Sequence, residues 1–491
     1  MTPLKVLSVA SEIFPLVKTG GLADVVGALP AALARESVES ATLAPGYPAL
    51  LAKLDSAAPA HTWDSLMGGA ATLLAAKAGA LDLFVLDAPH LYDRPGSIYL
   101  GPDGRDWPDN ALRFAALARA AADIGLGVAT SFAPDVVHAH DWQAALAPAY
   151  LRYAAARAPR PVVTIHNLAF QGHFPASLLG VLGLPPESLD IEGVEYFGGV
   201  GFLKAGLQFA DRITTVSPTY AREIMTPEFG MALDGLLRRR AGVVEGIVNG
   251  IDVEVWNPET DAHLPRPYGA AELELRKDNT TALRRRMDLD VGAAGPLFGV
   301  VTRISSQKGL DLLLDALPAL LARGGQLAML GAGDPVLQEA FAQAARSNAG
   351  AVGCVFDYDE EIAHLMQAGS DFILVPSRFE PCGLTQLCAL RYGATPIVAR
   401  VGGLADTVID ANEAALNAGV ATGLQFAPPA PDQLTFALTR AETLYHDAPA
   451  MRRLRLNGMR ADVSWRGPAK RYAALYREIA APRATSAMAA A

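Results

Sequence analysis

Residues 298–330 read FGVVTRISSQKGLDLLLDALPALLARGGQLAML. An unbroken apolar run, Phe298–Arg303, closes on an arginine. A Leu/Ala-rich stretch, Gly309–Arg323, comes next, and then a second apolar run, Gln326–Leu330. Neither short run alternates apolar with polar residues. That is the pattern of strands covered on both faces, and hence of a parallel sheet. The longer stretch has the length and composition of a helix. The segment therefore predicts a β–α–β unit, whose crossover is right-handed.

The unit repeats in both directions. Lys5–Ala10, Leu81–Leu86, Val136–Ala139, Val162–His166 and Ile213–Ser217 are candidate strands of the first half. Val352–Phe356, Phe372–Pro376 and Pro396–Ala399 continue the second. Helical stretches such as Asn110–Ile124 separate them. The fold class is α/β, with doubly wound, Rossmann-like sheets. A chain of 491 residues exceeds the roughly 250–300 that one core supports. The break falls at Val244–Pro258, VEGIVNGIDVEVWNP, where Gly, Asn and Pro cluster. The expected division is 1–245 and 246–465, two Rossmann-like domains facing across a deep cleft. The helix 466–480 completes the first domain, and 484–491 (ATSAMAAA) forms a flexible tail.

Composition narrows the function. Hydrophobic residues are 51% of the chain but aromatics only 7%, which suits helices packed on buried sheets. No apolar run approaches the ~18 residues of a membrane span. The opening, MTPLKVLSVASE, breaks its apolar stretch at Ser11-Glu12, unlike a signal peptide. With only three cysteines and no C-x-x-C, the sequence reads as cytoplasmic and without structural zinc. A net charge of −10 argues against nucleic-acid or membrane partners, though an anionic small ligand needs only local cations.

In open α/β sheets ligands bind beyond the carboxyl ends of the strands, and the cleft between two such domains is the default site. Polar residues at strand ends are the candidates. Lys18 precedes a Gly-Gly turn in KTGGLADV, and a similar GGLADTV recurs at Gly402–Val408. Paired glycines let backbone N–H groups approach an anion, although they also simply make tight turns. Arg303 closes its strand and Lys308 opens the next helix. A helix terminus contributes roughly 0.3–1 kcal/mol. A charge pair at ~4 Å contributes about 4 kcal/mol at an effective dielectric of 20. A diphosphate here would thus be held mainly by Lys18, Arg303 and Lys308. His138 and His140, in VVHAHDW, have no third ligand at a metal-site spacing and read as buried structural histidines. His166-Asn167 at a strand end is the stronger candidate. Glu380, in PSRFEPCGLTQL, sits on a turn whose Gly383, Leu384 and Thr385 would present N–H groups. Cys382 has no nearby histidine to activate it. Gly331-Ala332-Gly333 lacks the third glycine of a dinucleotide fingerprint, and no phosphate-binding G-x-x-x-x-G-K-[ST] loop occurs.

Taken in order, several segments resemble the bacterial glycogen synthases, close to plant starch synthases, of the glycosyltransferase-B (GT-B) fold. They are KTGGLADV, PGYP (45–48), HAHDW (138–142), TIHN with FQG (164–172), IVNGIDVEVWNP (247–258), RISSQKG (303–309), PSRFEPCGLTQL (376–387), GGLADTV (402–408) and DVSW (462–465). The resemblance implies transfer of glucose from ADP-glucose to the non-reducing end of an α-1,4-glucan such as glycogen. The anomeric configuration is retained, ADP is released, and no metal or cofactor is used. It implies that Lys18, Gly20, Gly21 and Asn249 bind the donor and that Asp24 and His166 contact its glucose. Arg303 and Lys308 would neutralise the diphosphate. Glu380 would stabilise or orient the glucosyl ring. Cys382, Gly383, Leu384 and Thr385 would line the phosphates and ribose, and Tyr358 would stack on adenine.

Three departures stand out. Cys388 occupies the position of a second glutamate found in related retaining families. Thr280 follows Asn279 where a lysine is usual, and Ala34–Ala41 (ARESVESA) lacks the usual glycine-rich turn. A UDP-glucose-dependent enzyme of the same fold and a catalytically silent glucan-binding protein are the alternatives. The presence of Lys18, Arg303 and Glu380 favours an enzyme.

Overall fold

The computed structural model describes residues 3–154 and 158–481, so the tail expected at 484–491 lies outside the described residues. The chain forms two compact units. The first comprises residues up to Val216, Ala221–Asn249 and the chain from Trp465 on. The second comprises Ser217–Tyr220 and Gly250–Ser464.

The first unit is built on strands β1 (Leu4–Val9), β2 (Val38–Pro45), β3 (Ser56–Leu66), β4 (Gly69–Ala78), β5 (Leu81–Asp87), β6 (Val136–His140) and β7 (Arg160–Ile165). A small separate sheet follows, of β8 (His173–Pro175), β9 (Glu195–Tyr196) and β10 (Gly199–Gly201). β11 (Arg212–Thr215) and β12 (Val244–Gly246) then complete the main sheet, whose order is β12-β11-β7-β6-β1-β2-β5-β4-β3. From β12 to β5 every pairing is parallel. β3 and β4 add an antiparallel edge that the sequence did not announce. SAAPAHTWDSL is mostly exposed and has no apolar run, and GAATLLAAKA is alanine-rich and reads as helical. The unit extends beyond the expected division at 246 because β12 is its edge strand and Ile247 lies in its core.

Helix Arg466–Ala480 packs on this unit. Its Ala469, Tyr472, Ala473 and Tyr476 share a buried cluster with Val6, Val25, Leu29, Val136 and Val162. Fully burying a large apolar side chain is worth roughly 1.5–3 kcal/mol, so this terminal helix is integral rather than appended. The turn before β2 lacks a glycine, and Ser37 takes its place with φ +58°, a left-handed conformation.

The second unit carries the segment quoted at the outset. β13 (Leu297–Val301), helix Leu310–Ala322 and β14 (Gln326–Leu330) form the expected parallel β–α–β unit. Leu310, Leu313, Ala316, Leu317 and Leu320 turn inward at helical spacing. β15 (Val352–Val355), β16 (Phe372–Val375), β17 (Thr395–Ala399) and β18 (Leu424–Phe426) complete a sheet of order β15-β14-β13-β16-β17-β18, parallel throughout. Arg303 does not end a strand as expected. The ladder stops at Val301↔Leu330, which leaves Arg303 on the loop beyond.

Both sheets reverse their winding at the first strand of their βαβ series, β1 in one and β13 in the other. A crevice for a ligand opens at such a switch point, beyond the strand ends. The residues after β1, β6 and β7, and those after β13 and β16, are therefore the ones to examine.

Candidate active site

In the first unit the loop after β1 is shaped by a carboxylate. Glu12 is 4% exposed. It accepts hydrogen bonds from the Thr19 backbone N–H (2.6 Å), the Gly20 N–H (3.1 Å), the Thr19 hydroxyl (3.0 Å) and the Tyr99 hydroxyl (3.0 Å). Burial raises the Glu12 pKa, and the bonds from Thr19, Tyr99 and Gly20 oppose that shift. This brace presents Lys18, whose Nζ lies 2.9 Å from Asp24 Oδ1 on helix Gly21–Arg35. Gly20 is extended, and a Cβ there would meet nothing within 4 Å. The protein itself thus sets no steric demand for glycine at that position.

Beside this loop, at the ends of β6 and β7, lies a histidine chain. His166 Nε2 is 3.0 Å from His140 Nδ1, and His140 Nε2 is 3.2 Å from the Ser8 hydroxyl. His138 is held separately, by the Tyr476 hydroxyl (2.7 Å) and the Thr164 hydroxyl (2.5 Å). Burial pushes His138 and His166 down to about 3, and His140 well below its usual value. All three rings are neutral at physiological pH, so one of His140 and His166 donates to the other. Asp141 Oδ1 accepts the backbone N–H groups of His166 (2.7 Å) and Asn167 (3.3 Å), which fixes the His166 main chain. Burial pushes the Asp141 carboxyl up to about 7. Asn249, where the chain leaves the unit for the second one, is buried.

In the second unit the loop after β13 meets the loop after β16. Lys308 Nζ is 2.6 Å from Glu380 Oε2, which also accepts the Ser377 hydroxyl at 2.9 Å. Glu380 is 6% exposed, whereas Arg303 is exposed and makes no ion pair among the described residues. The Glu380 loop is clamped on several sides. The Arg378 guanidinium pairs with Asp311, and Gln307 Nε2 donates to the Phe379 carbonyl. The Ser217 hydroxyl donates to the Pro381 carbonyl at 2.8 Å. Gln386, fully buried, donates to the carbonyls of Cys382 (3.0 Å) and Gly383 (2.9 Å). These bonds occupy two loop carbonyls at the turn where Gly383 takes φ +72°.

The second Gly-Gly pair serves this clamp. Gly402 and Gly403 begin helix Gly402–Thr407 and lie directly under the Glu380 loop. The Gly403 N–H donates to the Glu380 carbonyl at 3.0 Å. A Cβ on Gly402 would fall 1.9 Å from that carbonyl oxygen. The two GGLAD segments thus differ: glycine at 402–403 is demanded by backbone packing, and glycine at 20 is not. Thr280 is absorbed in packing, its hydroxyl donating to the carbonyls of Arg276 (3.2 Å) and Gly369 (2.8 Å).

Lys308 and Glu380 come together in the second unit, and Lys18 and Asp24 in the first. Tyr358, 66% exposed, follows the edge strand β15. Glu12, Asp141, Ser377 and Gln386 were not singled out, and His140 was read only as a buried structural histidine. Only Glu12 left a trace in the sequence, as the charge that ends the first apolar run. Among the described residues, no three His, Cys, Asp or Glu side chains converge on a metal-sized site. No helix among them is long and apolar enough to cross a membrane.

Two doubly wound α/β units, each matched by a glycosyltransferase family model, make this a glycosyltransferase of the GT-B type. Residues 5–239 match the starch synthase catalytic domain model, and residues 288–458 match glycosyl transferases group 1. The glycogen synthase of Rhodopseudomonas palustris (strain BisB18) is 61% identical over 489 residues, covering 100% of both chains. Glycogen synthase 2 of Bradyrhizobium diazoefficiens is 58% identical, over 98% of this chain and 99% of that one. The catalytic domain of Arabidopsis thaliana starch synthase IV, solved with ADP and acarbose, superposes with a TM-score of 0.88. It is 31% identical, over 98% of this chain and 100% of that one. The chain belongs to the glycogen and starch synthase family.

Proposed function

We propose that the chain transfers glucose from ADP-glucose to the non-reducing end of an α-1,4-glucan, with retention at the anomeric carbon. The observation that carries this reading is the Lys308–Glu380 pair, braced at the switch point of its sheet. A cation and a carboxylate are what a departing diphosphate and a developing oxocarbenium ion require. The ADP and acarbose held by the Arabidopsis starch synthase support the choice of donor nucleotide and acceptor.

Both lysines pair with a carboxylate assigned to the glucose: Lys308 with Glu380 and Lys18 with Asp24. Donor binding exchanges these partners. Lys308 and Arg303 turn to the diphosphate, with the backbone amides of Gly383, Leu384 and Thr385, while Cys382 lines the ribose side. Glu380 is left to face the glucosyl ring. Lys18, with Gly20 and Gly21, holds the donor, and the open space at the Gly20 Cβ position suits close approach of a ligand. Asn249 adds a contact to the donor. Asp24 and His166 fix the glucose hydroxyls, and the neutral His166 ring suits a hydrogen bond to a hydroxyl. Tyr358 supplies a stacking face for adenine.

Retention follows from a front-face displacement. The bond from the anomeric carbon to the phosphate oxygen breaks. The acceptor hydroxyl adds on the same face, and its proton passes to the departing phosphate. The His166 carbonyl, its main chain fixed by Asp141, faces the positive charge that develops.

Lys18→Ala tests the donor reading. Losing a charge-assisted hydrogen bond costs about 1.5–3 kcal/mol, so the KM for ADP-glucose rises about tenfold or more. Initial rates at varied donor and saturating glycogen measure it. An unchanged donor KM contradicts the assignment.

A further inference from the structure

Helix Glu360–Gly369 carries a line of contacts for which the chemistry above has no use. His364 is 2% exposed and lies flat on Trp256, with ring centroids 3.9 Å apart and planes at 11°. Its Nδ1 is 2.7 Å from Asp261 Oδ2, which also accepts the Tyr392 hydroxyl at 2.5 Å. On the other side, His364 Nε2 lies 3.7 Å from Glu360 Oε1, one turn earlier on the same helix. The other oxygen of Glu360 accepts the Tyr358 hydroxyl. Asp261, His364, Glu360 and Tyr358 thus run in one line from the buried interior to an exposed ring.

The charges along this line are ordered. The groups facing the imidazole are Asp261 and His263 from the loop before the helix at Arg276, Tyr392 after helix Thr385–Arg391, and Glu360 from its own helix. Burial disfavours the charged imidazole, but the two carboxylates outweigh it and raise the His364 pKa, while the Asp261 pKa is lowered. The buried imidazole between two carboxylates has little freedom, because Asp261 and the Trp256 face fix it. Glu360, with its side chain 32% exposed, is held at the outer end of this pair. An exposed tyrosine otherwise samples several rotamers, and ordering it on binding costs free energy.

We infer that Glu360 and His364 are positioning residues for nucleotide binding. Anchored by Asp261 and Trp256, the His364 ring fixes the Glu360 carboxylate, which holds the Tyr358 ring ready to stack on the base. This rests on the reading of Tyr358 as the adenine platform.

Calorimetric titration of the full chain with ADP tests it. Tyr358→Phe keeps the ring and loses the tether. Glu360→Gln keeps the size and loses the charge. Each weakens ADP binding about three- to tenfold, the range of one net hydrogen bond. The double variant is no weaker than either single one, because both break the same link. With saturating donor, Glu360→Gln keeps the parent kcat. The ratio of parent to Glu360→Gln affinity narrows as the pH rises, because the imidazole loses its proton and its hold on Glu360. Parent-like affinity in Tyr358→Phe or Glu360→Gln, additive losses in the double variant, or a pH-independent ratio overturns the proposal. Tyr358→Ala separates the two readings. If it binds ADP as tightly as the parent, the platform itself is wrong. If it alone binds weakly, only the tether is wrong.

Discussion

Glu380→Gln lowers turnover at saturating ADP-glucose and glycogen by about 100- to 1000-fold, the range for removing one preorganised electrostatic group. The amide has nearly the same shape as the carboxylate and still accepts the Ser377 hydroxyl. The loop does not depend on the side chain for its form, because the Glu380 carbonyl is bonded by the Gly403 N–H. Only the negative charge opposite the reacting carbon is lost. Lys308, no longer neutralised by Glu380, stays available to the diphosphate, so the donor KM does not rise. A fall in kcat without a rise in KM marks an interaction made mainly in the transition state. Initial rates and a thermal melt measure the two sides. Near-normal turnover would remove Glu380 from the chemistry.

The second large effect comes from a residue that touches no substrate. Gly403→Ala places a Cβ 2.3 Å from the Cys382 carbonyl oxygen and 2.5 Å from the Cys382 Cα. Both are backbone atoms, so the loop itself must move. Overpacking of this kind costs about 1–3 kcal/mol in stability. A shift of about 1 Å at a reacting group costs about 100-fold in rate, and kcat/KM should fall by that much. The measurement is made well below the melting point of the variant, where the chain is folded. Parent-like kcat/KM in the folded variant would show that the clamp beneath Glu380 does not set its position.

The sequence was legible where burial was uniform. Parallel strands such as β6, β7, β13 and β16 are apolar on both faces, so short unbroken runs marked them. β3 and β4 lie at an exposed antiparallel edge, where Ser, Thr, Asp and Ala carry no such signal. The charged groups at strand ends were visible because they interrupt apolar runs. What holds them was not visible. Gln386 works through backbone carbonyls and looks like any helix residue. His140 acts on His166 from a neighbouring strand, and Asp141 acts on the same residue's backbone. Gly402-Gly403 looked like a second anion-binding turn because the letters match Gly20-Gly21. Only the distance to the Glu380 carbonyl separates a packing demand from a ligand contact.

The most direct measurement is the nucleotide released when the chain meets ADP-glucose or UDP-glucose, each with and without glycogen. ADP should be released at a rate that depends on glycogen, with one glucose added to the glucan per ADP and little UDP formed. Faster consumption of UDP-glucose, or ADP release that does not depend on glycogen and leaves the glucan unlengthened, would contradict the proposed function.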